Sequence, residues 1–342
     1  MSTHPPRRAT PKVSFYFPDA AIVGLPSRSS DFAAWQAQLA RANGSLGPAA
    51  WTVQTFLVLK EHGLECELVD QVPSSGIVFA HRVHCPRRIE LRRERFWICL
   101  LADRDPHPYA NFHILQNPTQ NLRLSQPSTY VRHWPQPGLV PRKASQRRET
   151  MNVCYFGETE NLVADLGEPA FKAWCESRGM KFTIVPRDAW HDYSDCDVVL
   201  AVRSFGTDEW HHSKPATKLF NAWLAGVPAI LGAESAYRVE GRRGENYLEA
   251  LDLSAVRAHL ESLSSDLAMR DRLTTNGLKA AANVSVDATA ANWIHLIETE
   301  VFPRFAKWKG RFIVEAPILR LLGRVREGLV WRLSLISSGF RP

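Results

Sequence analysis

Basic side chains gather where a buried strand meets a helix in the second half of the chain. The run Asp197–Val202 is predicted to be a strand buried on both faces, and Arg203 follows it directly. Lys214 lies in the next loop, and Lys218 lies in the first turn of a helix predicted over 217–225. Because a helix N-terminus beside cations attracts anions, this segment predicts a phosphate site.

A second strand brings more polar groups to the same edge. The run Val227–Leu231 ends just before Glu234 and Ser235, and ligands of parallel sheets bind at such carboxyl ends. The predicted binding residues are Arg203, Ser204, Lys214, Thr217, Lys218, Asn221, Glu234 and Ser235. The alternative is an ordinary strand–helix–strand unit with solvated charges. We expect no metal, because Asp195 and Asp197 stand at the start of their strand, away from this edge.

The first half supplies candidates for proton transfer. His81 follows the predicted strand Gly76–Ala80, and an imidazole that titrates near neutrality can act as a general base. Asp103 follows the predicted strand Phe96–Leu101 and could orient or deprotonate a hydroxyl group. The alternative for both is a polar group that merely ends a strand. Two further residues are predicted on this side: Arg82 and Gly24.

Strands alternate with helices in units of roughly 30 residues, a pattern that predicts parallel sheets covered by helices. A first series of strands runs to residue 115, and a second begins at 152 after a stretch rich in proline and charge. The predicted organisation is a disordered N-terminus (1–12), an α/β domain (13–140), a linker (141–150), a second α/β domain (151–300) and a basic helical tail (301–342).

Charge and composition narrow the partners. Residues 1–150 carry a net charge of +8, residues 151–300 of −8 and residues 301–342 of +7, a pattern that favours contact with phosphates or an anionic membrane over nucleic acid. The arginines of RRIELRRER at 87–95 form either a solvated face or an anion-binding cluster. Apolar residues among arginines at 318–334 predict an amphipathic helix, which either binds a membrane or packs on the first domain.

The expected compartment is the cytoplasm, with peripheral contact at the inner face of the membrane. The six cysteines lack the spacing of zinc sites and are expected to be free thiols. No secretory signal is recognised, and no apolar run reaches the about 20 residues that a membrane span needs.

The segments DCDVVLAVR at 195–203 and KPATKLFNAWLAGVPAILG at 214–232 resemble the donor half of glycosyltransferases of the B fold, of the kind in bacterial families 1 and 4. In that superfamily, the helix after the buried strand binds the nucleotide diphosphate and ribose. Lys218 falls on the lysine of the motif, Asn221 on its ribose-binding glutamate, and Gly226 and Pro228 on the following turn. The resemblance implies two facing Rossmann-like domains, with the acceptor bound by the first and a nucleoside diphosphate sugar, as co-substrate without a cofactor, by the second.

Two positions depart from the family pattern. Asn221 replaces a carboxylate with a weaker hydrogen-bonding amide. The loop after Phe156 begins with Gly157 and Glu158, where many retaining members carry a basic pair, so the stereochemical outcome stays open. The resemblance implies sugar transfer to a saccharide or lipid-linked hydroxyl in cell-envelope polysaccharide or glycolipid synthesis. The alternatives are an epimerase-like enzyme and a degenerate binding protein of the same fold.

Overall fold

The computed structural model describes residues 10–18, 24–41, 46–122, 126–143, 149–206 and 211–337. Some predicted segments lie outside these ranges in whole or in part. They are most of the N-terminus for which disorder is predicted, residues 144–148 of the predicted linker, and the last five residues of the chain. No helix in the described part is long and apolar enough to cross a membrane.

The first unit is built on a six-stranded parallel sheet in the order β2-β1-β3-β4-β5-β6. Its strands are β1 (Val13–Tyr16), β2 (Cys66–Val69), β3 (Gly76–His81), β4 (Arg95–Leu100), β5 (Phe112–Leu115) and β6 (Ser128–Tyr130). The two central strands β3 and β4 are buried throughout, as their continuous apolar runs predict. The order reverses at β1, which places a crevice beside the carboxyl ends of β1 and β3.

One helical rod of the first unit carries a local irregularity. Helix α1 spans Ser29–Arg41, and the rod consists of α2 (Leu46–Ala49), a π-helical turn (Ala50–Gln54) and α3 (Thr55–Glu61). The predicted helix over 49–62 is therefore present, but residues 50–54 of it form a π turn. The Thr55 hydroxyl donates to the Trp51 carbonyl at 2.9 Å, a bond that competes with the helical backbone pattern. Such π turns occur often at functional sites.

The second unit is built on a five-stranded parallel sheet in the order β11-β10-β9-β7-β8. Its elements are β7 (Met151–Phe156), α4 (Ala164–Gly167), α5 (Pro169–Ser177), β8 (Met180–Val185), β9 (Val198–Ala201), α6 (Thr217–Ala225), β10 (Ala229–Leu231), α7 (Ser235–Glu240), β11 (Leu248–Glu249), α8 (Leu253–Ser265) and α9 (Leu267–Ala281). Gly226 ends α6 in the left-handed conformation, with φ of 66°. Two parallel sheets, each with its own core, confirm the predicted α/β class.

The last helices return to the first unit. They are α10 (Val286–Leu296), a π turn (Ile297–Val301) and α11 (Phe302–Ser337). Trp293 is fully buried in the first core and lies parallel to Trp134, with ring centroids 6.4 Å apart. Phe305 and Trp308 join the same core. Residues 290–301 thus pack on the first unit, because their apolar side chains complete the first core. The domain boundaries predicted from the sequence place these residues in the second domain.

We predict that Trp293→Ala lowers the free energy of unfolding by about 3–5 kcal/mol, because it leaves a cavity at the junction of α10 with the first core. Urea denaturation followed by circular dichroism measures this loss. Leu267→Ala is the matched control, since Leu267 is 46% exposed on α9. A loss below about 1 kcal/mol, within the range of surface substitutions, would contradict the tight packing of Trp293.

Candidate functional site

The carboxyl ends of both sheets open onto one cavity of about 490 Å³, whose walls come from both units. Gly157 follows β7, Arg203 lies just after β9, and His81 is the last residue of β3. The predicted residues that line the cavity are His81, Asp103, Arg203, Lys214, Thr217, Lys218 and Asn221. The cavity therefore brings together side chains of the first and second units, whose candidate residues were predicted separately from the sequence.

The start of α6 forms one edge of the cavity. Its N-cap residue, Ala216, provides no side-chain hydrogen bond, and Pro215, Thr217 and Lys218 line the cavity. The first N–H groups of a helix have no acceptor within the helix, and they carry the positive end of its dipole. These donors therefore face the cavity without a side-chain cap.

Lys218 places its amine in a poorly solvated position beside this helix start. Burial, followed by the charge of Arg203, lowers the pKa of its ammonium group to about 7. The Nζ atom lies 5.5 Å from the ring centroid of Tyr155, and no carboxylate among the described residues forms a salt bridge with it. A Cβ on Gly157 would lie only 3.1 Å from this Nζ and 2.7 Å from the Tyr155 hydroxyl, so glycine leaves the room that Lys218 occupies.

Arg203 and Glu234 form a buried ion pair behind Lys218. Burial alone would lower the pKa of Arg203, but the neighbouring Tyr237 and Glu234 raise it above its ordinary value, so Arg203 stays charged. Its Nε atom and Glu234 Oε1 have no hydrogen-bond partner within the described ranges. Both residues are predicted to contact a ligand, yet only Arg203 lines the cavity, and Glu234 neutralises it from behind.

Lys214 and Asp103 join the two units across the cavity mouth. Lys214 Nζ donates to Asp103 Oδ2 at 2.6 Å. Burial raises the pKa of Asp103, but the hydrogen bond and charge of Lys214 outweigh this effect and hold the pKa below its ordinary value. Asp103 is therefore an ionised carboxylate, engaged by a residue that the sequence predicts to bind phosphate.

His81 is uncharged and buried at the end of β3, with 3% of its surface exposed. Burial, followed by the charges of His84 and Arg104, lowers the pKa of its imidazole to about 3. The Val83 N–H donates to His81 Nδ1 at 3.3 Å, which leaves the proton of the neutral ring on Nε2. This environment favours donation of a hydrogen bond over the predicted general-base role, because such a weakly basic nitrogen accepts a proton poorly.

Two predicted residues of the second unit are engaged by the first unit. Asn221 Oδ1 accepts from the backbone N–H of Gln136 at 3.0 Å. Ser235 Oγ accepts from Asn117 Nδ2 at 3.0 Å, and the same amide group donates to the Lys214 carbonyl at 3.0 Å. These contacts tie the loop before α6, and the helix itself, to the other side of the cleft.

The remaining predicted residues lie outside the lining of the cavity. Arg82 Nε donates to the Asp105 carbonyl at 2.8 Å, which directs the guanidinium to the loop after β4. Gly24 is exposed, and a Cβ there would meet nothing within 4 Å, so no close approach to a ligand requires glycine. Ser204 Oγ lies 3.3 Å from His211 Nε2.

Several residues that line the cavity are not among the site residues predicted from the sequence. From the first unit these are Trp51 and Gln54 of the π turn and Gln116 after β5, and from the second unit Trp190. Gln54 is 4% exposed, and its Oε1 atom has no hydrogen-bond partner in the described part of the chain. The helical spacing in the sequence predicts an ordinary buried helix over residues 51 and 54. It gives no sign of the π turn, so it does not predict that these two residues line the cavity. Gln116 directly follows a predicted strand, and this position alone could have marked it as a candidate cavity residue.

A metal site is not visible among the residues that the structure describes: no group of three or more His, Cys, Asp or Glu side chains is arranged to hold an ion. Asp197 instead accepts from Arg142 Nη2 at 2.8 Å and from the Asn152 N–H at 2.9 Å, at the opposite end of β9 from the cavity.

Comparison with known proteins identifies the fold. No family model and no curated protein matches the sequence. Among solved structures, Anabaena HepE, determined in complex with UDP and glucose, is similar with a TM-score of 0.50 at 10% identity, over 85% of this chain and 100% of that chain. A glycosyltransferase from Rickettsia africae is similar with a TM-score of 0.47 at 8% identity, over 88% and 100% of the two chains. AviGT4, a glycosyltransferase of avilamycin A biosynthesis, has a TM-score of 0.47 at 12% identity, over 87% and 98%.

The chain has the B fold of glycosyltransferases, with two Rossmann-like units facing one cleft and a long C-terminal helix. This confirms the fold that the motif at 195–232 implies. The similarity to HepE establishes the architecture, and the chemistry must be argued from the residues of the cleft.

We predict that the Lys218 amine titrates near pH 7, because it is desolvated and lies beside Arg203. Competitive acylation at a series of pH values, read by mass spectrometry, gives the midpoint, with the exposed Lys181 as an internal reference. Arg203→Gln should raise the midpoint, since it removes a positive charge and releases Glu234. A midpoint near 10 in the unmodified protein would contradict the described environment of Lys218.

Proposed function

We propose that this protein is a glycosyltransferase that moves a sugar from a nucleoside diphosphate sugar to a hydroxyl group. The observation that carries the proposal is the uncapped start of α6, where Lys218 and Arg203 face the cleft of a B-fold protein. A diphosphate would accept hydrogen bonds from the free N–H groups and supply the negative charge that this edge lacks. Lys214 and Thr217 stand at the same edge.

The second unit also offers a surface for a nucleobase. Trp190 lines the cavity and is held by a hydrogen bond from its Nε1 to the Val185 carbonyl at the end of β8, 3.1 Å long. An indole face fixed in this way can stack on a planar base. Because HepE was determined with UDP and glucose, UDP is the first nucleotide to test.

The wall of the first unit suits an uncharged sugar. Gln54, His81 and Gln116 are neutral polar groups, each at most 5% exposed, that line this wall. Gln54 Oε1 lacks a partner in the described part of the chain and can accept from a sugar hydroxyl. His81, protonated on Nε2, can donate to a sugar oxygen. These three groups would select a sugar by hydrogen bonding, and the charged side chains that line the same wall are Asp103 and Arg104.

In the proposed reaction, the bond between the anomeric carbon and the diphosphate breaks, and the anomeric carbon bonds to the acceptor oxygen. Lys218 and the α6 N–H groups stabilise the negative charge of the departing diphosphate. The acceptor proton passes to a carboxylate such as Asp103, once Lys214 releases it, or to the departing diphosphate. The neutral His81 orients the sugar. The proposed acceptor is a saccharide or lipid-linked hydroxyl in cell-envelope glycan synthesis at the cytoplasmic face of the membrane.

One observation supports a second candidate, a degenerate nucleotide-binding protein of the same fold. Asn221 replaces the ribose-binding glutamate of the family motif, and its Oδ1 atom, which could accept from a ribose hydroxyl, already accepts from the Gln136 backbone N–H. Product analysis separates the candidates. Acceptor-dependent release of free nucleotide indicates transfer, whereas binding without turnover over a broad acceptor panel indicates a binding protein.

We predict that nucleoside diphosphates bind at Lys218. Lys218→Gln should weaken the binding of UDP, or of the nucleotide that a thermal-shift panel selects, by about 1.5–3 kcal/mol in calorimetry. In the unmodified protein, affinity should fall as the pH rises from about 7 to 9, because the free protein loses the Lys218 proton that the diphosphate would retain. Lys181→Gln on the exposed edge is the control. Unchanged affinity in a folded Lys218→Gln variant would remove this residue from the site.

We predict that Asp103→Asn lowers the turnover number by about 10²–10⁴-fold if Asp103 takes the acceptor proton. Lys214→Gln distinguishes this role from a bridging role, because it breaks the same ion pair and leaves the carboxylate in place. Nucleotide affinity should change little in Asp103→Asn. If Asp103→Asn, Lys214→Gln and the double variant all lose turnover equally, the Lys214–Asp103 ion pair acts in closing the cleft. If both single variants keep wild-type turnover, another group takes the acceptor proton.

A further inference from the structure

One face of the C-terminal helix α11 is apolar and exposed. Val314, Ile318, Leu321 and Val325 are 64%, 52%, 64% and 48% exposed, respectively. Their spacing of four, three and four residues places them in one line along the helix. We call these four residues the apolar stripe. Soluble proteins seldom expose aligned apolar side chains of this size unless the surface binds something.

The opposite face of α11 is fixed to the first unit, so the stripe cannot turn inward. The Tyr109 hydroxyl donates to Glu327 Oε2 at 2.8 Å, and Arg326 Nη1 donates to the Pro108 carbonyl at 3.1 Å. At Gly323 the helix touches Tyr109 so closely that a Cβ would lie 2.1 Å from its ring. These contacts extend over residues 323–327, which are also the residues that flank the end of the stripe.

Basic side chains surround the stripe. Lys307, Arg311, Arg320 and Arg324 are exposed on α11. The arginine cluster at 87–95 lies against the same helix, because Arg93 Nε donates to the Lys309 carbonyl at 3.0 Å and Trp308 Nε1 donates to the Arg92 carbonyl at 2.9 Å. The arginine cluster and the helix therefore meet at Trp308 and Lys309, although these bonds join positions that are 216 residues apart in the sequence.

We propose that the apolar stripe and its surrounding arginines dock the protein on the surface of an anionic phospholipid bilayer. The stripe would enter the boundary between headgroups and acyl chains, while the arginines pair with headgroup phosphates. The surface contains no residue of the cleft, and the proposal does not depend on the sugar-transfer reaction.

The charges favour a bilayer over a second copy of the chain. A self-association stripe would continue at heptad spacing, but the next positions on either side are Arg311 and Gly328. A second copy would also present a helix whose exposed charged residues include Arg320 and Arg324 to one with the same charges. The acidic residues of α11 are Glu315 and Glu327, and Glu327 is already bound to Tyr109.

Sedimentation of the full chain with vesicles of equal parts phosphatidylglycerol and phosphatidylcholine tests the proposal. The wild type should bind these vesicles and not vesicles of phosphatidylcholine alone. Ile318→Ser with Leu321→Ser should weaken binding by more than about tenfold, because both side chains would lose their burial in the bilayer. Arg320→Glu with Arg324→Glu should do the same, since each basic residue near an anionic surface contributes about fivefold.

Matched pairs on α9 serve as controls. Leu267→Ser with Leu278→Ser removes two apolar side chains that are 46% and 50% exposed, and Arg272→Glu with Lys279→Glu reverses two exposed charges. Both control proteins should bind vesicles as the wild type does. The proposal is overturned if the wild type ignores anionic vesicles or if the stripe variant binds them unchanged. It is equally overturned if the stripe variant converts a dimer to a monomer in sedimentation velocity, which would make a second copy the occupant.

Discussion

The site depends on a positive charge placed where water solvates it poorly. Lys218 lies in the first turn of α6, with Arg203 as its neighbour and the ring of Tyr155 beside it. In the described structure, Arg203 is neutralised by Glu234, and Lys218 has no such partner. The helix dipole and the free N–H groups add to the same unbalanced positive potential. In the proposed function, an anion that reaches this edge would offset the uncompensated charge and accept hydrogen bonds from the helix N-terminus.

The second constraint is the network that holds the two units together around this charge. Asn117, fully buried after β5, donates to the Lys214 carbonyl and to Ser235, and Arg132 pairs with Glu240 at 2.9 Å. These bonds connect the sheet of the first unit to the loop and helices that surround the start of α6. These contacts are hydrogen bonds and ion pairs, the polar kind that is common between the domains of one chain.

Sequence patterns predict most of this architecture and only part of the site. Buried strands such as β9 are long apolar runs, and α6 is bounded by Pro215 and Gly226, so both are found within a residue or two of their predicted ends. β11 has two residues and β6 has three, which is too short for an alternating pattern, and neither is predicted. Pairings such as Lys214 with Asp103 join residues over 100 positions apart, so local spacing cannot indicate them. Burial, which local spacing cannot reveal, likewise lowers the pKa of the predicted base His81 to about 3.

The measurement that tests the central claim most directly is amide hydrogen exchange with and without a saturating nucleoside diphosphate. The N–H groups of Thr217, Lys218 and Leu219 have no acceptor within α6 and should exchange rapidly in the free protein. If a diphosphate binds at this helix start, their exchange should slow strongly, together with that of the Gly157 loop that faces Lys218. Bound nucleotide that protects other parts of the cleft and leaves residues 217–219 exchanging at their free rate would contradict the account.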